Sequence, residues 1–267
     1  MLAFPFINYC PKVIRMLALV ATLSPTLESA QRLEVEIPRI TAIPIIDGSI
    51  EEDEWQEAAA IQVNIEVDPG DNIEAEVTAQ ALIMEDGQAI YVAFRAHDPD
   101  PSQIRGFYED RDSGWDGDYM GIILDTFNDE RRAFEFLVNP FGVQMDAIYD
   151  DVNQREDESW NAIWNSVGQI TDTGYTVELA IPLKQLRFSE SESVQVWGID
   201  FYRHYPRDRS TSIHSQRIDW NISCYLCQIS KLEGFQNLEQ SRNLEVIPTI
   251  TSSSCLLYTS PSPRDRG

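Results

Sequence analysis

The strongest constraint on the fold is a period of two in hydrophobicity. In residues 74–84, EAEVTAQALIM, small and aliphatic side chains alternate with glutamate, threonine and glutamine. An Asp-Gly pair at 86–87 then suits a tight turn, and residues 89–98 return with the same alternation. This pattern is typical of a β-hairpin that turns one face toward a core.

Strand signals recur along the chain at intervals of roughly ten residues, which indicates an antiparallel β-sandwich. A second hairpin is predicted at residues 132–151, where Pro140 and Gly142 favour the turn. Further strands are predicted at residues 119–125, 174–182 and 195–205. Helical signals are short and confined to residues 49–59 and 182–186. The predicted fold class is therefore all-β, an antiparallel β-sandwich with one or two short helices.

The chain has 267 residues and is predicted to form one main domain, residues 31–242. Before it, residues 1–30 place two basic residues ahead of an apolar run, which is typical of an export signal. After it, residues 243–250 are predicted to begin a second, truncated domain. Residues 251–267 are rich in serine, threonine and proline without periodicity, and we interpret them as a non-native tail.

Composition narrows the function classes. A formal charge of −24 repels phosphate backbones, so no nucleic-acid partner is expected. The three histidines are scattered, and the sequence contains no HExxH, GxSxG or P-loop motif. A glycosidase-type pair of carboxyls stays open, because 44 acidic residues supply many candidates and the sequence does not give their separation. No catalytic residue is predicted.

Cys224 and Cys227 form a CxxC motif that has several interpretations. A redox pair, half of a zinc site, a local disulfide and two reduced thiols all fit the spacing. Zinc needs two further ligands, and no second CxxC or paired histidine is near in sequence. An oxidising compartment favours the disulfide, which is the predicted state.

An acidic stretch between residues 98 and 118 is a candidate cation site. Calcium takes several oxygen ligands from flexible loops, and this stretch contains seven acidic residues. The spacing departs from an EF-hand because Gly114 falls at a ligand position. No cofactor is required, and this stretch is interpreted either as a solvated acidic loop or as a site for a structural calcium ion. The predicted ligands are Asp98, Asp100, Asp110 and Asp112.

Five of the six tryptophans fall into two groups. Trp197 alternates with apolar residues in a predicted strand and is expected in the core. Trp55 is expected to hold the first short helix against the sandwich. The others lie among polar loop residues, where flat rings can stack on sugars and acids such as Asp116 and Asp118 can bind hydroxyls. Plugging the ends of the sandwich is their alternative role. This loop group is Trp115, Trp160 and Trp164.

Several motifs occur in the order found in family 9 carbohydrate-binding modules, which this chain resembles. The first is IPIIDGSIEEDEWQEAA at residues 43–59. Four more follow in the family order: IYVAFRAHDPDP, DYMGIILDTFND, AFEFLVNPFGVQMD and GYTVELAIPLKQLRF. The resemblance covers about residues 35–205 and is specific through the ordered set. It is closer still to Gram-negative envelope proteins in which such a module precedes a large domain of the DUF5916 type.

The resemblance implies a β-sandwich, a polysaccharide or oligosaccharide partner and, in some members, structural calcium. It aligns Trp115 with the sugar-stacking tryptophan of the family. It also implies a missing C-terminal domain of the outer-membrane β-barrel type. Two departures matter, because members place an acid where this chain has Gly121 and an arginine where it has Leu137. Loss of two polar contacts predicts weak, unselective sugar binding.

Three functional hypotheses follow. The first is non-catalytic binding of xylan or cello-oligosaccharides, with Trp115 as the platform and Trp160 or Trp164 as a second wall. It expects an exported protein of carbohydrate catabolism, in the periplasm or outer membrane of a Gram-negative bacterium. The second is a structural or gating periplasmic domain packed on its own barrel. The third is part of a glycoside hydrolase acting on O-glycosyl bonds, which rests on family association alone.

Overall fold

The computed structural model describes residues 32–189 and 194–238 of the chain. The predicted export signal at 1–30, the predicted start of a second domain at 243–250 and the predicted tail at 251–267 lie outside the described residues. In the described part, no helix is long and apolar enough to cross a membrane.

Strands account for 49% of the described residues and helices for 5%, which confirms the predicted all-β fold class. The α-helix of the described part, α1, spans Glu52–Trp55, and two 3-10 helices span Pro101–Gln103 and Leu183–Gln185. The strands are β1 Glu34–Glu36, β2 Ala59–Asp68, β3 Ile73–Glu85, β4 Ala89–His97, β5 Tyr119–Asp125, β6 Arg132–Val138, β7 Gln144–Asp150, β8 Arg155–Asp157, β9 Asn165–Thr171, β10 Gly174–Pro182, β11 Val194–Pro206, β12 Ser210–His214 and β13 Ser230–Gln236.

The strands form one curled sheet with the order β8-β7-β6-β5-β11-β12-β2-β3-β4-β10-β9. Strand β13 pairs antiparallel with β11 and parallel with β1. The two halves of the sheet enclose the main hydrophobic core, in which Phe94 of β4 meets Phe201 of β11 edge to face, with ring centroids 6.3 Å apart. The fold is the predicted β-sandwich, with one continuous sheet supplying both layers.

The first predicted helix is shorter than expected. Of residues 49–59, only the four residues of α1 are helical, because Ala59 already pairs with β3 as the first residue of β2. The indole Nε1 of Trp55 donates a hydrogen bond to Oε1 of the buried Glu178 at 2.9 Å. Two backbone amides of the preceding turn donate to the other oxygen of the same carboxylate. Trp55 therefore holds α1 against the sandwich, as predicted.

Alternation in β5, β6 and β11 separates two faces of different chemistry. One face points into the main core and includes Met120, Phe136 and Trp197, which is fully buried as predicted. The opposite face, called the second face below, carries Tyr119 and Tyr202 outside that core. The candidate site lies on this second face.

Candidate functional site

The second face carries a cleft of about 230 Å³, called the aromatic cleft below. Its walls come from β5, β6, β7, β8, β11 and β12 and from the loops before β5 and after β12. The aromatic side chains that line it are Trp115, Tyr119, Tyr149, Tyr202, Trp220 and Tyr225. The other polar side chains that line it are Glu135, Glu156, Ser212 and His214. Aromatic rings around a few polar groups are typical of a site for a small organic ligand.

Trp115 forms a wall of the aromatic cleft on the loop before β5. Its indole Nε1 donates a hydrogen bond to the backbone carbonyl of Asp112 at 3.0 Å, so its own loop orients the ring. The ring also packs edge to face on Tyr119, with centroids 6.0 Å apart. The half-buried ring therefore offers a stacking surface, while its N–H is already bonded within the protein.

Hydrogen bonds and ring contacts brace the floor of the aromatic cleft. Tyr119 packs against Tyr202 with centroids 5.8 Å apart. The Tyr225 hydroxyl donates to Oδ2 of Asp200 at 2.6 Å, and Nδ1 of His214 lies 2.6 Å from the same oxygen. Burial and the adjacent Asp200 raise the pKa of Tyr225 well above its ordinary value, so its hydroxyl remains a donor. This network fixes the aromatic rings before any ligand arrives.

Glu135 supplies a buried carboxyl to the aromatic cleft from β6. The residue is 5% exposed, and its carboxyl makes no hydrogen bond or ion pair with any described residue. Burial, together with repulsion from Glu156 and Glu158, raises its pKa from 4.5 to about 8. At neutral pH the side chain therefore holds a proton and can both donate and accept a hydrogen bond.

Gly121 explains why one acid expected from the family resemblance is absent. The residue pairs with Tyr202 of β11 and with Leu137 of β6. A Cβ atom at this position would overlap the backbone carbonyl oxygen of Phe136, so the strand accepts only glycine here. Glu135, two residues before Leu137 on β6, supplies a carboxyl to the same face instead.

Trp160 and Trp164 face the main core rather than the aromatic cleft. The prediction that one of them forms a second wall of the sugar site is therefore corrected. Trp164 is 5% exposed and meets Phe136 edge to face, with centroids 5.4 Å apart. Trp160 is half-buried and packs against Phe134 and Phe136. Both phenylalanines point to the core side of β6, so both indoles extend the hydrophobic core.

Asp116 and Asp118, predicted to bind sugar hydroxyls, do not line the aromatic cleft. Asp116 is exposed on the loop. Asp118 is fully buried and accepts hydrogen bonds from the backbone N–H of Arg105 at 2.8 Å and from the Arg207 guanidinium at 2.7 Å. The prediction for Asp118 is corrected because its carboxylate is already neutralised inside the domain.

The structure does not form a cation site from the four predicted calcium ligands, Asp98, Asp100, Asp110 and Asp112. Asp98 pairs with Arg207 at 2.5 Å, Oδ2 to Nη2, and Asp112 accepts the backbone N–H of Asp146 at 3.1 Å. Within residues 32–189 and 194–238, the one group of three His, Cys, Asp or Glu ligand atoms within 4.8 Å combines Glu130 with two disulfide-bonded cysteines. The predicted residues therefore do not fit a calcium ion.

Cys224 and Cys227 are joined by a disulfide in the loop between β12 and β13, the state predicted from the sequence. Tyr225 lies between the two cysteines and reaches the aromatic cleft. Its backbone N–H donates to Oδ1 of Asp151 at 2.9 Å, which ties the loop to the end of β7. The disulfide therefore constrains one wall of the cleft.

Two larger cavities of the described domain have different chemistry. One of about 330 Å³ is lined mainly by charged residues, among them Arg207 and Arg209. The other, of about 580 Å³, sets Arg131 and Arg132 beside Phe127. Neither combines several aromatic rings with a buried, unpaired carboxyl. We therefore take the aromatic cleft as the candidate site.

Most of the aromatic cleft was not predicted from the sequence. Tyr119 and Tyr202 alternate with core residues in predicted strands, and this alternation is the signal that could have identified them. Glu135 and Tyr149 follow the same rule on β6 and β7. Trp220 and the disulfide loop carry no such signal, because a loop reaches the cleft only through tertiary packing.

Comparison with known proteins agrees with this architecture. The family profile described as carbohydrate family 9 binding domain-like matches residues 46–223. A search of curated proteins finds no match. A family 9 carbohydrate-binding module from Caldicellulosiruptor kristjanssonii in complex with cellotriose is similar, with a TM-score of 0.52 and 16% identity, over 82% of this chain and 100% of that chain. A module of that organism in complex with glucose gives a TM-score of 0.52 and 16% identity, over 81% and 100%.

A third similar structure is a proposed carbohydrate-binding protein from Bacteroides uniformis. It has a TM-score of 0.59 and 13% identity, over 77% of this chain and 99% of that chain. At these identities the solved structures support the fold alone, whereas the profile covers more than half of the chain. The chain therefore belongs to the carbohydrate family 9 binding domain-like family.

Proposed function

We propose that this domain is a non-catalytic carbohydrate-binding module that holds a glycan in the aromatic cleft. The observation that carries the proposal is the grouping of six aromatic side chains on the second face around Glu135. Flat apolar rings stack on the faces of sugar rings, while a small number of polar groups bind hydroxyls. A cleft of this kind binds a sugar by shape and stacking and needs no catalytic group.

Cello-oligosaccharides and xylan are the proposed ligand class. The similar modules from Caldicellulosiruptor kristjanssonii were solved with cellotriose and with glucose, which supports a glucan-type ligand. Gly121 and Leu137 offer no polar group where relatives place an acid and an arginine. Because polar groups fix the orientation of a sugar, we expect weak binding with little discrimination between these glycans.

Affinity electrophoresis through gels that contain xylan, cellulose derivatives or mixed-linkage glucan tests this function. We expect the glycan to slow migration of the wild-type domain and the Trp115→Ala variant to migrate as in a gel without glycan. Tyr108→Ala is the matched control, because Tyr108 is an 81% exposed aromatic residue outside the cleft lining. Wild-type migration that no glycan slows, or equal retardation of the Trp115→Ala variant, would contradict the proposal.

We also propose that the module acts outside the cytoplasm. The export-type sequence at residues 1–30 and the Cys224–Cys227 disulfide both support this location, because disulfides persist in oxidising compartments. Fractionation of a Gram-negative host expressing the chain tests the location. We expect the protein in the periplasm or outer membrane, and recovery in the cytosol with reduced thiols would contradict it.

A further inference from the structure

The aromatic cleft is acidic without a compensating basic residue. Glu135 and Glu156 both line it, and no lysine or arginine is among the described residues of its lining. The one imidazole of the lining belongs to His214, and its Nδ1 is already bonded to Asp200. The cleft therefore holds acidic groups that no basic residue of the described part of the domain neutralises.

Glu135 is the buried acidic residue of the aromatic cleft. A buried carboxylate without a partner is costly, which is why its carboxyl holds a proton up to a pKa of about 8. Acidic neighbours raise this pKa further, and none of the other side chains facing the cleft is a strong cation. The titratable groups that line the cleft with Glu135 are Tyr119 of β5, Tyr149 of β7, Glu156 of β8, Tyr202 of β11, His214 of β12 and Tyr225, and Glu158 repels its carboxylate from outside the lining.

The aromatic rings of the cleft also favour a positively charged ligand. The face of an aromatic ring carries partial negative charge and attracts a cation held over it. Trp115, Trp220 and four tyrosines surround the cleft on several sides. A neutral sugar would gain stacking here but would leave Glu135 in its protonated, uncharged form. A ligand with a positive charge would use both the rings and the carboxylate.

Resting on the proposed function, we propose that the aromatic cleft selects a glycan that carries protonated primary amines, as in oligosaccharides of 2-amino-2-deoxyglucose, over a neutral glycan of the same length. The ammonium group of the ligand pairs with the Glu135 carboxylate. Glu135 releases its proton to solvent on binding, because the incoming charge favours the ionised carboxyl. Binding is therefore coupled to the release of one proton when the pH lies below the pKa of Glu135.

Calorimetric titration at about pH 6.5, where a primary amine is protonated, tests this selectivity. The ligands are cellotriose and the trimers of glucosamine and N-acetylglucosamine. Acetylation converts the charged amine into a neutral amide, so the last two differ in charge. We expect the glucosamine trimer to bind about tenfold more tightly than cellotriose, a net preference of about 1.4 kcal/mol that remains after the cost of deprotonating Glu135. Its heat should vary with the ionisation enthalpy of the buffer, because a proton is released, and the heat of cellotriose binding should not.

Variants distinguish pairing of the ligand's ammonium group with Glu135 from a general attraction of the ligand to the net negative charge of the domain. Glu135→Gln should bind cellotriose and lose both the preference and the proton release. Glu52→Gln removes the same charge from α1, outside the cleft lining, and should keep both. Circular dichroism checks that each variant is folded. Glu156→Gln provides a second cleft variant and should weaken the preference.

The wild-type protein provides a further test without any variant. At about pH 10 the amine is neutral, and we expect the preference for the glucosamine trimer to disappear. Equal affinity for the glucosamine trimer and cellotriose at about pH 6.5 would overturn the inference and leave the proposed function standing. A preference that persists at about pH 10, or that Glu52→Gln abolishes as fully as Glu135→Gln does, would also overturn it. If none of the three trimers bound, both proposals would fail.

Discussion

At the scale of single residues, Glu135 holds a proton that an unfolded chain would release at neutral pH. Its pKa is about 8 in the folded domain against an ordinary value of 4.5. Because the folded state binds this proton more tightly, its contribution to stability is full below about pH 4.5 and is lost as the pH rises toward about 8. Each pKa unit corresponds to about 1.4 kcal/mol, so we expect a loss of a few kcal/mol in the free energy of unfolding.

Urea unfolding at about pH 5 and about pH 9 measures this loss. The wild-type domain should lose more stability over this interval than Glu135→Gln, which has no proton to release at position 135. Glu52→Gln is the control and should follow the wild type, because Glu52 is exposed in the first turn of α1. Equal losses in wild type and Glu135→Gln would show that Glu135 is not a buried, unpaired carboxyl.

Individual residues also mark the limit of prediction from sequence. Trp115 could be singled out because the family resemblance aligns it with the sugar-stacking tryptophan. Trp160 and Trp164 have equally polar neighbours, and only their contacts with Phe134 and Phe136 place them against the core. The local sequence does not encode which face of a sheet a loop residue will cover. The role of Asp118 depends similarly on Arg207, which is 89 residues away in the chain.

At the scale of elements, the sequence patterns predict the strands well and the first helix poorly. Strands β3, β4, β5 and β10 lie within one or two residues of their predicted positions. The helix predicted over residues 49–59 shrinks to the four residues of α1, because a turn follows Trp55 and pairing with β3 begins at Ala59. Acidic residues at a helix start are a weak signal when a strand partner competes for the following residues.

The disulfide loop is the element that links stability to the aromatic cleft. Replacing Cys224 and Cys227 by serine should lower the free energy of unfolding by about 2 kcal/mol, the value expected for closing so short a loop. It should also weaken glycan binding, because Tyr225 would no longer be held against the cleft. Urea unfolding and glycan titration of the double variant measure the two effects. Unchanged affinity in a destabilised variant would contradict the role of the loop in the site.

At the scale of the whole molecule, Arg207 joins distant parts of the sandwich. Its guanidinium contacts Asp98 at the end of β4 and Asp118 before β5, at 2.5 and 2.7 Å. Arg207→Met would remove the nearest guanidinium from two buried carboxylates, so we expect a loss of about 3–5 kcal/mol in the free energy of unfolding. Chemical denaturation measures this loss.

Arg132→Met is the matched control for that loss. Arg132 also pairs with an aspartate, Asp150, at 3.3 Å, but its side chain is 71% exposed. An exposed pair contributes at most about 1 kcal/mol. Similar losses in the two variants would contradict the assignment of Arg207 as a buried clamp between two layers of the sandwich.

Sequence patterns do not predict the topology of the whole sheet. Alternation predicts a sandwich but does not reveal that β11 pairs with β5, β12 and β13. Strand β12 follows β11 directly, but β5 and β13 are far from β11 in sequence, and nothing in a local window specifies their register. The second face exists only because β11 brings Tyr202 beside β5. The aromatic cleft is therefore a product of topology, which is why sequence motifs identify Trp115 and miss its neighbours.

The central claim is that a glycan binds on the second face, in the aromatic cleft. A two-dimensional ¹⁵N NMR titration with cellotriose tests it most directly, because the six tryptophans supply six indole N–H signals. Two of them, Trp115 and Trp220, line the cleft, whereas Trp164 and Trp197 lie in the main core. We predict saturable shifts of the Trp115 and Trp220 signals with the core signals unchanged. Shifts confined to Trp160 or Trp164, or no shift of any indole signal at high cellotriose concentration, would contradict the account.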